Sequence, residues 1–267
     1  MAVFEITFFS NALARLTQMT AIIPIERPRQ YGGTGKPAAE PFRSVYLLHG
    51  YSGTHTDWIR GSRIEQLAMA HNVAVFMPSG ENSFYLDDNV RAARYEEMLC
   101  EDIIYFTRSV FPLSDRREDT TIGGFSMGGY GALRNGLKRN DVFGNIVALS
   151  SAIITDSLAK MKKDAPNPIA PYSYYEHTFG KLDEVAGSDK DPKALAKAVV
   201  EDGKMVPNIF IACGTEDFGI ESNRAFSRYL TEIGLNHEYR ESPGEHNWKF
   251  WDEYIEKALI WLDGFKQ

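Results

Sequence analysis

The clearest pattern along the chain is a series of short apolar runs separated by longer amphipathic stretches. The runs cover residues 45–48, 73–77, 120–122, 146–149 and 209–213, and a weaker one covers residues 237–241. Runs that are rich in Val and Ile and do not alternate with polar residues are typical of parallel strands covered on both faces. We therefore expect each run to form one strand of a mainly parallel sheet.

Two further strands are predicted before these runs. Residues 3–8 and 19–24 alternate or carry β-branched residues, as expected for the two strands of a hairpin. Residues 27–41, which follow, are rich in Gly, Pro and Lys, and this composition predicts a surface loop.

Apolar residues between the later strands recur at the spacing of an amphipathic helix. They define three helical faces: Tyr95, Leu99, Ile103, Phe106 and Val110; Phe226, Tyr229, Leu230 and Ile233; and Trp251, Tyr254, Ile255, Ala258, Leu259 and Leu262. Gly234 stands where a helix commonly ends, and Asn247 is suited to cap the last helix. Strands that alternate with helices predict an α/β fold with an eight-stranded, mostly parallel sheet and helices on both faces.

One region, residues 153–203, breaks this alternation. It is rich in Lys, Asp, Pro and Tyr. Asp191 followed by Pro192 is typical of a helix start, and Gly203 is suited to end that helix. We expect a single domain over residues 1–267, with a helical, cap-like insertion at 153–203 after the sixth strand.

Composition excludes several classes of protein. The 267 residues suit one large α/β domain, and a net charge of −7 with scattered Lys and Arg argues against a nucleic acid partner. Cys100 and Cys213 suggest no disulfide framework or metal cluster, which favours a reducing compartment. No apolar stretch approaches 18 residues and no signal-peptide pattern is present, so we expect a cytoplasmic protein without a membrane partner.

The strongest chemical signal is Gly124-Phe125-Ser126-Met127-Gly128, which lies between a predicted strand and a helix-compatible run. By composition, a G-x-S-x-G match arises by chance in about one chain in ten of this length, so its setting matters more than the letters. A nucleophilic serine on a sharp strand-to-helix turn is the arrangement of α/β-hydrolases. The motif therefore predicts Ser126 as the nucleophile.

A serine hydroxyl needs a base, and in this fold the acid and the histidine follow the serine along the chain. The histidines after Ser126 are His177, His237 and His246. His177 lies in the insertion and His237 at the start of a predicted strand. We favour His246, because its loop follows the last strand and should overlie the strand ends, where ligands bind in open α/β sheets.

The acid should follow the apolar run at residues 209–213. Glu216 and Asp217 both lie there. We favour Asp217 and keep Glu216 as the alternative. A buried carboxylate at this position would fix the imidazole tautomer and stabilise its charged form.

An oxyanion hole needs two backbone N–H groups. Met127, directly after the serine, should supply one, and Tyr51, in the glycine-containing turn after residues 45–48, should supply the other. His49 precedes the serine and is expected to brace this loop. His49 and His55 have no third ligand nearby, so we predict no metal site.

The runs LLHGYSGTHTDW, GGFSMGGYGA, CGTEDF and GEHNWKFW, in that order, resemble the esterase D-like family. The resemblance is strongest to its bacterial tributyrin esterases, with acetyl and feruloyl esterases as relatives. It implies the α/β-hydrolase fold, a cofactor-free esterase that prefers short acyl groups, and the same triad and oxyanion amides. The S-formylglutathione hydrolases of the wider family usually carry a Cys where this chain has residues 51–55, which argues against a glutathione thioester.

Several aromatic residues are candidates for the substrate pocket. They are Trp58, Phe84, Tyr85 and Trp248, together with Tyr172, Tyr174 and Tyr175 of the insertion. We expect a small-molecule ester as substrate, with acetyl, butyryl and feruloyl groups all open. An acyltransferase, a thioesterase or a non-catalytic binding module on the same scaffold are the alternatives, and a homo-oligomer is left open.

Overall fold

An eight-stranded sheet forms the centre of the protein, whose structure is a computed structural model that describes residues 1–25, 41–164, 167–203 and 205–265. The strands are β1 (Ala2–Ser10), β2 (Arg15–Ile23), β3 (Arg43–Leu48), β4 (Val73–Pro78), β5 (Thr120–Phe125), β6 (Asn145–Leu149), β7 (Asn208–Gly214) and β8 (Glu238–Ser242). Apart from Pro41, the loop predicted at residues 27–41 lies outside the described residues.

The sheet is mixed but mostly parallel. Its order is β1-β2-β4-β3-β5-β6-β7-β8. The hairpin β1–β2 and its junction with β4 are antiparallel, and the other pairings are parallel. This confirms the predicted eight-stranded sheet. The weak pattern at residues 237–241 has a simple cause, because β8 is an edge strand with no fully buried residue.

Helices cover both faces of this sheet. They are α1 (Asp57–Gly61), α2 (Ile64–His71), α3 (Tyr95–Glu97 and Ile103–Val110, joined by the π-helical Met98–Asp102), α4 (Met127–Lys138), α5 (Thr155–Leu158), α6 (Tyr172–Phe179), α7 (Pro192–Asp202), α8 (Ile220–Glu232) and α9 (Trp248–Asp263). The side chains of alternate residues in β3 contribute to two separate hydrophobic cores. Tyr46 belongs to the core that contains residues of α3, α4 and α8, whereas Leu47 belongs to the core that contains residues of α1, α2 and α9.

The capping residues expected from the sequence are found at the helix ends. The side chain of Asn247 accepts a hydrogen bond from the N–H of Phe250 at 3.3 Å. Asp191 caps α7 by accepting from the N–H of Lys193 at 3.0 Å, and Gly203 ends that helix with a φ of 65°. Each side chain satisfies a backbone donor that a helix leaves without a partner.

Both cysteines, Cys100 and Cys213, are buried free thiols. Burial raises the pKa of each thiol, and that of Cys213 reaches about 12, so both are protonated at neutral pH. Within the described residues there is no cluster of three side chains suited to hold a metal ion. Likewise, no helix in the described ranges is long and apolar enough to cross a membrane.

The segment between β6 and β7 carries α5, α6 and α7 and is anchored to α4 through buried Arg134. The Arg134 guanidinium pairs with the carboxylate of Glu96 and lies 2.8 Å from an oxygen of Asp189. Its Nε also donates to the Asp189 carbonyl at 2.9 Å, and the hydroxyl of Tyr130 donates to the carbonyl of Lys190 at 2.6 Å. The helix α4, which directly follows Ser126, therefore holds this segment through Tyr130 and Arg134.

Replacing Arg134 with Met should destabilise the protein by about 3 kcal/mol, because it leaves the buried Glu96 carboxylate without its main partner. Urea unfolding followed by circular dichroism measures this change in the free energy of unfolding. The matched control is Lys138→Met, which removes a one-third-exposed cation that contacts the same two carboxylates. The control should cost less than about 1 kcal/mol. Equal losses in the two variants would contradict the anchoring role of Arg134.

Candidate active site

Ser126 lies on a strained turn between β5 and α4. Its φ of 56° and ψ of −119° fall outside the regions that ordinary residues occupy. The turn has no room for side chains beside it. A Cβ on Gly124 would lie 2.6 Å from the backbone of Gly128, and a Cβ on Gly128 would lie 2.4 Å from the carbonyl oxygen of Leu48. The two glycines of the motif are therefore required by packing.

The structure brings Ser126, His246 and Asp217 into one hydrogen-bonded row. The Nδ1 of His246 lies 2.8 Å from Oδ2 of Asp217, and its Nε2 lies 3.0 Å from Oγ of Ser126. An ionised carboxylate only accepts hydrogen bonds, so Nδ1 donates to Asp217 and Nε2 is left to accept from the serine hydroxyl. This is the arrangement in which an imidazole can take a proton from serine.

Asp217 is held in its ionised form. Burial alone would raise the pKa of this carboxyl, but the hydrogen bond from His246 and that from the N–H of Gly219, at 2.7 Å, hold the pKa below its usual value. Asp217 follows β7, and the His246 loop follows β8. A Cβ on Gly214 would lie 2.1 Å from the carbonyl oxygen of Gly244, so the two loops are in direct contact.

Glu216, the alternative acid, is hydrogen-bonded to groups other than His246. Its carboxylate accepts hydrogen bonds from the N–H of Gly244 and from the hydroxyl of Thr215, and these bonds lower its pKa. The N–H of Glu216 in turn donates to the carbonyl of Gly244 at 3.0 Å. Glu216 therefore ties the acid loop to the histidine loop and does not orient the imidazole.

The other two histidines after the serine lie elsewhere. Nε2 of His237 is 2.7 Å from the hydroxyl of Ser227, but its Nδ1 lies 3.0 Å from the carbonyl of Leu235, so this serine–histidine pair has no acid. His177 contacts Asp88 at 2.6 Å. In both cases the ring nitrogens are bonded to groups other than Ser126.

Tyr51 and Met127 line the same cavity as Ser126. Tyr51 lies in a turn closed by a 3.1 Å hydrogen bond from the N–H of Gly53 to the carbonyl of Gly50. Met127 is the first residue of α4, where backbone N–H groups have no partner within the helix. Among the described residues, neither amide has an acceptor, so both can donate to a negatively charged oxygen.

His49 braces this turn, as expected. Its Nε2 accepts from the N–H of Gly80 at 2.9 Å, so its proton lies on Nδ1, 2.7 Å from the carbonyl oxygen of Gly50. Burial lowers the pKa of His49, which keeps the ring neutral. His55 is bonded instead to the hydroxyl of Thr20 at 2.8 Å.

A cavity of about 290 Å³ opens beside the serine. Its walls are mainly apolar. The side chains that form them come from the loop that contains Phe84, the segment between β6 and β7, the loop after β7 and α8. They include Phe84, Ile153, Ile154, Ile169, Tyr175, Phe218 and Ala225, with Asp156, Ser157, Lys193 and Ser222 among the polar ones. The volume is close to the lower end of the range for small-molecule sites.

Of the aromatic residues expected at the pocket, Phe84 and Tyr175 line it, and the other five do not. Trp58 is buried, with its Nε1 donating to the carbonyl of Leu48 at 3.1 Å, and Trp248 packs edge-on against it. Tyr85 is buried and donates its hydroxyl to the carbonyl of His49 at 3.1 Å. Tyr172 and Tyr174 are also absent from the cavity wall.

Several residues of the cavity wall are not predicted from the sequence. Phe218 is exposed, with its ring centre 4.4 Å from that of His246, and its position directly after Asp217 is the signal that would have indicated it. Ile153, Ile169 and Lys193 come from the segment that lacks a periodic pattern. No feature of the sequence marks these three residues for the cavity.

The chain is similar to known esterases in sequence and in fold. Residues 17–262 match the family described as "Putative esterase". The chain is 46% identical over 262 residues to an acetyl esterase of Caldicellulosiruptor saccharolyticus, with 98% of both chains covered. Among solved structures, it resembles two Staphylococcus aureus proteins over 98% of both chains: the fluorophosphonate-binding serine hydrolase FphF (29% identity, TM-score 0.83) and the S-formylglutathione hydrolase FrmB (28% identity, TM-score 0.82). The chain belongs to this esterase family and has its α/β-hydrolase fold.

Proposed function

We propose that this protein is a serine carboxylesterase that works through an acyl-enzyme, with Ser126, His246 and Asp217 as its triad. The observation that carries the proposal is the row of hydrogen bonds from Asp217 through His246 to the strained Ser126. His246 removes the serine proton as Oγ attacks the ester carbonyl, and it then protonates the leaving alcohol. Water activated by the same histidine releases the acid.

The amides of Tyr51 and Met127 form the oxyanion hole in this proposal. The ester carbonyl oxygen becomes negatively charged as the tetrahedral intermediate forms, and two unbonded N–H groups on the cavity wall stabilise that charge. The N-terminus of α4 adds the positive end of a helix dipole on the same side.

The substrate we propose is an ester with a short-chain or small aromatic acyl group. Apolar walls and a volume of about 290 Å³ suit an acetyl, butyryl or feruloyl group better than a long acyl chain. The similarity to an acetyl esterase supports the small end of this range. The insertion at residues 153–203 then acts as a cap within a single domain, since Ile169, Tyr175 and Lys193 supply part of the cavity wall.

A thioesterase that acts on S-formylglutathione is the second candidate. The similarity to FrmB supports it. Residues 51–55 lack the Cys that such enzymes usually carry in this loop, which makes the ester the preferred substrate.

Replacing Ser126 with Ala should lower kcat for p-nitrophenyl acetate by about 10⁴-fold or more, because the attacking oxygen is lost. Initial rates followed by nitrophenolate absorbance measure the change. The matched control is Ser227→Ala, which breaks the serine–histidine pair that has no acid. The control should keep wild-type kcat, and activity retained in Ser126→Ala would exclude Ser126 as the nucleophile.

Replacing Asp217 with Asn should lower kcat by about 10⁴-fold, since the amide favours the wrong imidazole tautomer. Glu216→Gln should have a much smaller effect, because the Glu216 carboxylate accepts from the N–H of Gly244 and the hydroxyl of Thr215 and not from His246. The measurement is kcat for the same ester at pH 7.5, with the melting temperature of each variant recorded. A larger loss in Glu216→Gln would show that the acid has been misassigned.

The size of the cavity should limit the length of the acyl group that the protein hydrolyses, and a panel of esters measures that limit. We expect acetyl, butyryl and methyl hydroxycinnamate esters to be hydrolysed, and the kcat/KM for a dodecanoyl ester to be lower by at least about 100-fold, because a long chain exceeds the cavity. S-formylglutathione is included as the thioester. A kcat/KM for the thioester above that of every oxygen ester would favour the second candidate instead.

A further inference from the structure

The turn that presents Tyr51 is conformationally strained. Ser52 has a φ of 65°, whereas Tyr51 is absent from the residues with positive φ. Together with the hydrogen bond between Gly53 and Gly50, this is the pattern of a type II turn, in which the third residue is usually glycine. A serine at that position costs of order 1 kcal/mol, so another interaction must hold the turn in this form.

Asn82 supplies such an interaction. Its side-chain Oδ1 accepts a hydrogen bond from the N–H of Ser52 at 2.7 Å, across 30 residues of sequence. The peptide between Tyr51 and Ser52 is the one that flips when a type II turn converts to type I, in which the third residue has a negative φ. An acceptor fixed on the Ser52 N–H opposes that flip.

The segment that contains Asn82 also holds the start of the turn. Gly80 donates its N–H to His49, and Tyr85 donates its hydroxyl to the carbonyl of His49 at 3.1 Å. The insertion in turn holds Asn82, because the hydroxyl of Tyr174 donates a hydrogen bond to the backbone carbonyl of Asn82 at 2.6 Å. The 80–85 segment is therefore hydrogen-bonded to the turn both before and after Tyr51.

We propose that Asn82 is a positioning residue for the oxyanion hole, acting by keeping the turn at residues 50–53 in the form that presents the backbone of Tyr51 at the cavity wall. This inference rests on the proposed function, in which the Tyr51 N–H stabilises the oxyanion. The oxyanion exists in the transition state and not in the bound ester, so loss of Asn82 lowers kcat and leaves KM unchanged.

The experiment compares Asn82→Ala, the double variant Asn82→Ala/Ser52→Gly, and Asn89→Ala, an exposed asparagine in the neighbouring segment. With p-nitrophenyl acetate, Asn82→Ala should lower kcat about 10-fold with KM within about twofold of wild type. Glycine adopts a positive φ without strain, so Ser52→Gly should restore most of the lost kcat in the double variant. Asn89→Ala should match wild type.

A second readout uses a trifluoromethyl ketone, to whose carbonyl Ser126 adds to give a bound oxyanion. Its affinity should fall in Asn82→Ala by the same factor as kcat. Wild-type kcat in Asn82→Ala, or a loss that Ser52→Gly does not rescue, would overturn the positioning role. If Ser126→Ala is inactive in the same assay while Asn82→Ala is unaffected, this inference fails and the proposed function stands.

Discussion

The strained turn at Ser126 forces β5, α4 and β3 into close contact. Its backbone conformation brings Gly124 against Gly128, and brings Gly128 against the carbonyl of Leu48, with no space for a Cβ at either glycine. This contact joins β5, the start of α4 and the end of β3 into one packed unit. Strain of this kind persists only where the surrounding packing over-determines it, and two hydrophobic cores on opposite faces of the sheet supply that packing.

Everything else at the site is brought to this turn from the carboxyl ends of neighbouring strands. Asp217 follows β7, His246 follows β8 and Tyr51 follows β3. Because these strands are parallel, all three loops lie at the carboxyl ends of the strands, on the same side of the sheet. Contacts between loops then refine their positions. Gly214 contacts Gly244 between the loops that carry Asp217 and His246, and the 80–85 segment is hydrogen-bonded to residues on both sides of Tyr51.

The sequence was sufficient for features that depend on order and local pattern. Apolar runs predicted six strands and the hairpin pattern at the start of the chain predicted the other two. The order of serine, acid and histidine predicted the residues that the structure places within hydrogen-bonding distance. It was insufficient for features that depend on which side chains meet. Trp58, Tyr85 and Trp248 were expected at the pocket because they are aromatic, yet they fill space behind it. The bond between Asn82 and Ser52 leaves no mark in the sequence, because it joins loops after two different strands.

If Ser126 carries the acyl group during turnover, the acyl-enzyme can be trapped on this residue. The protein is mixed with an ester and quenched in acid within milliseconds, and its peptides are then analysed by mass spectrometry. We predict that the acyl mass is found on the peptide that contains Ser126 and that it is absent from Ser126→Ala. An acyl mass on any other residue, or rapid turnover with no trapped acyl group at all, would contradict the account.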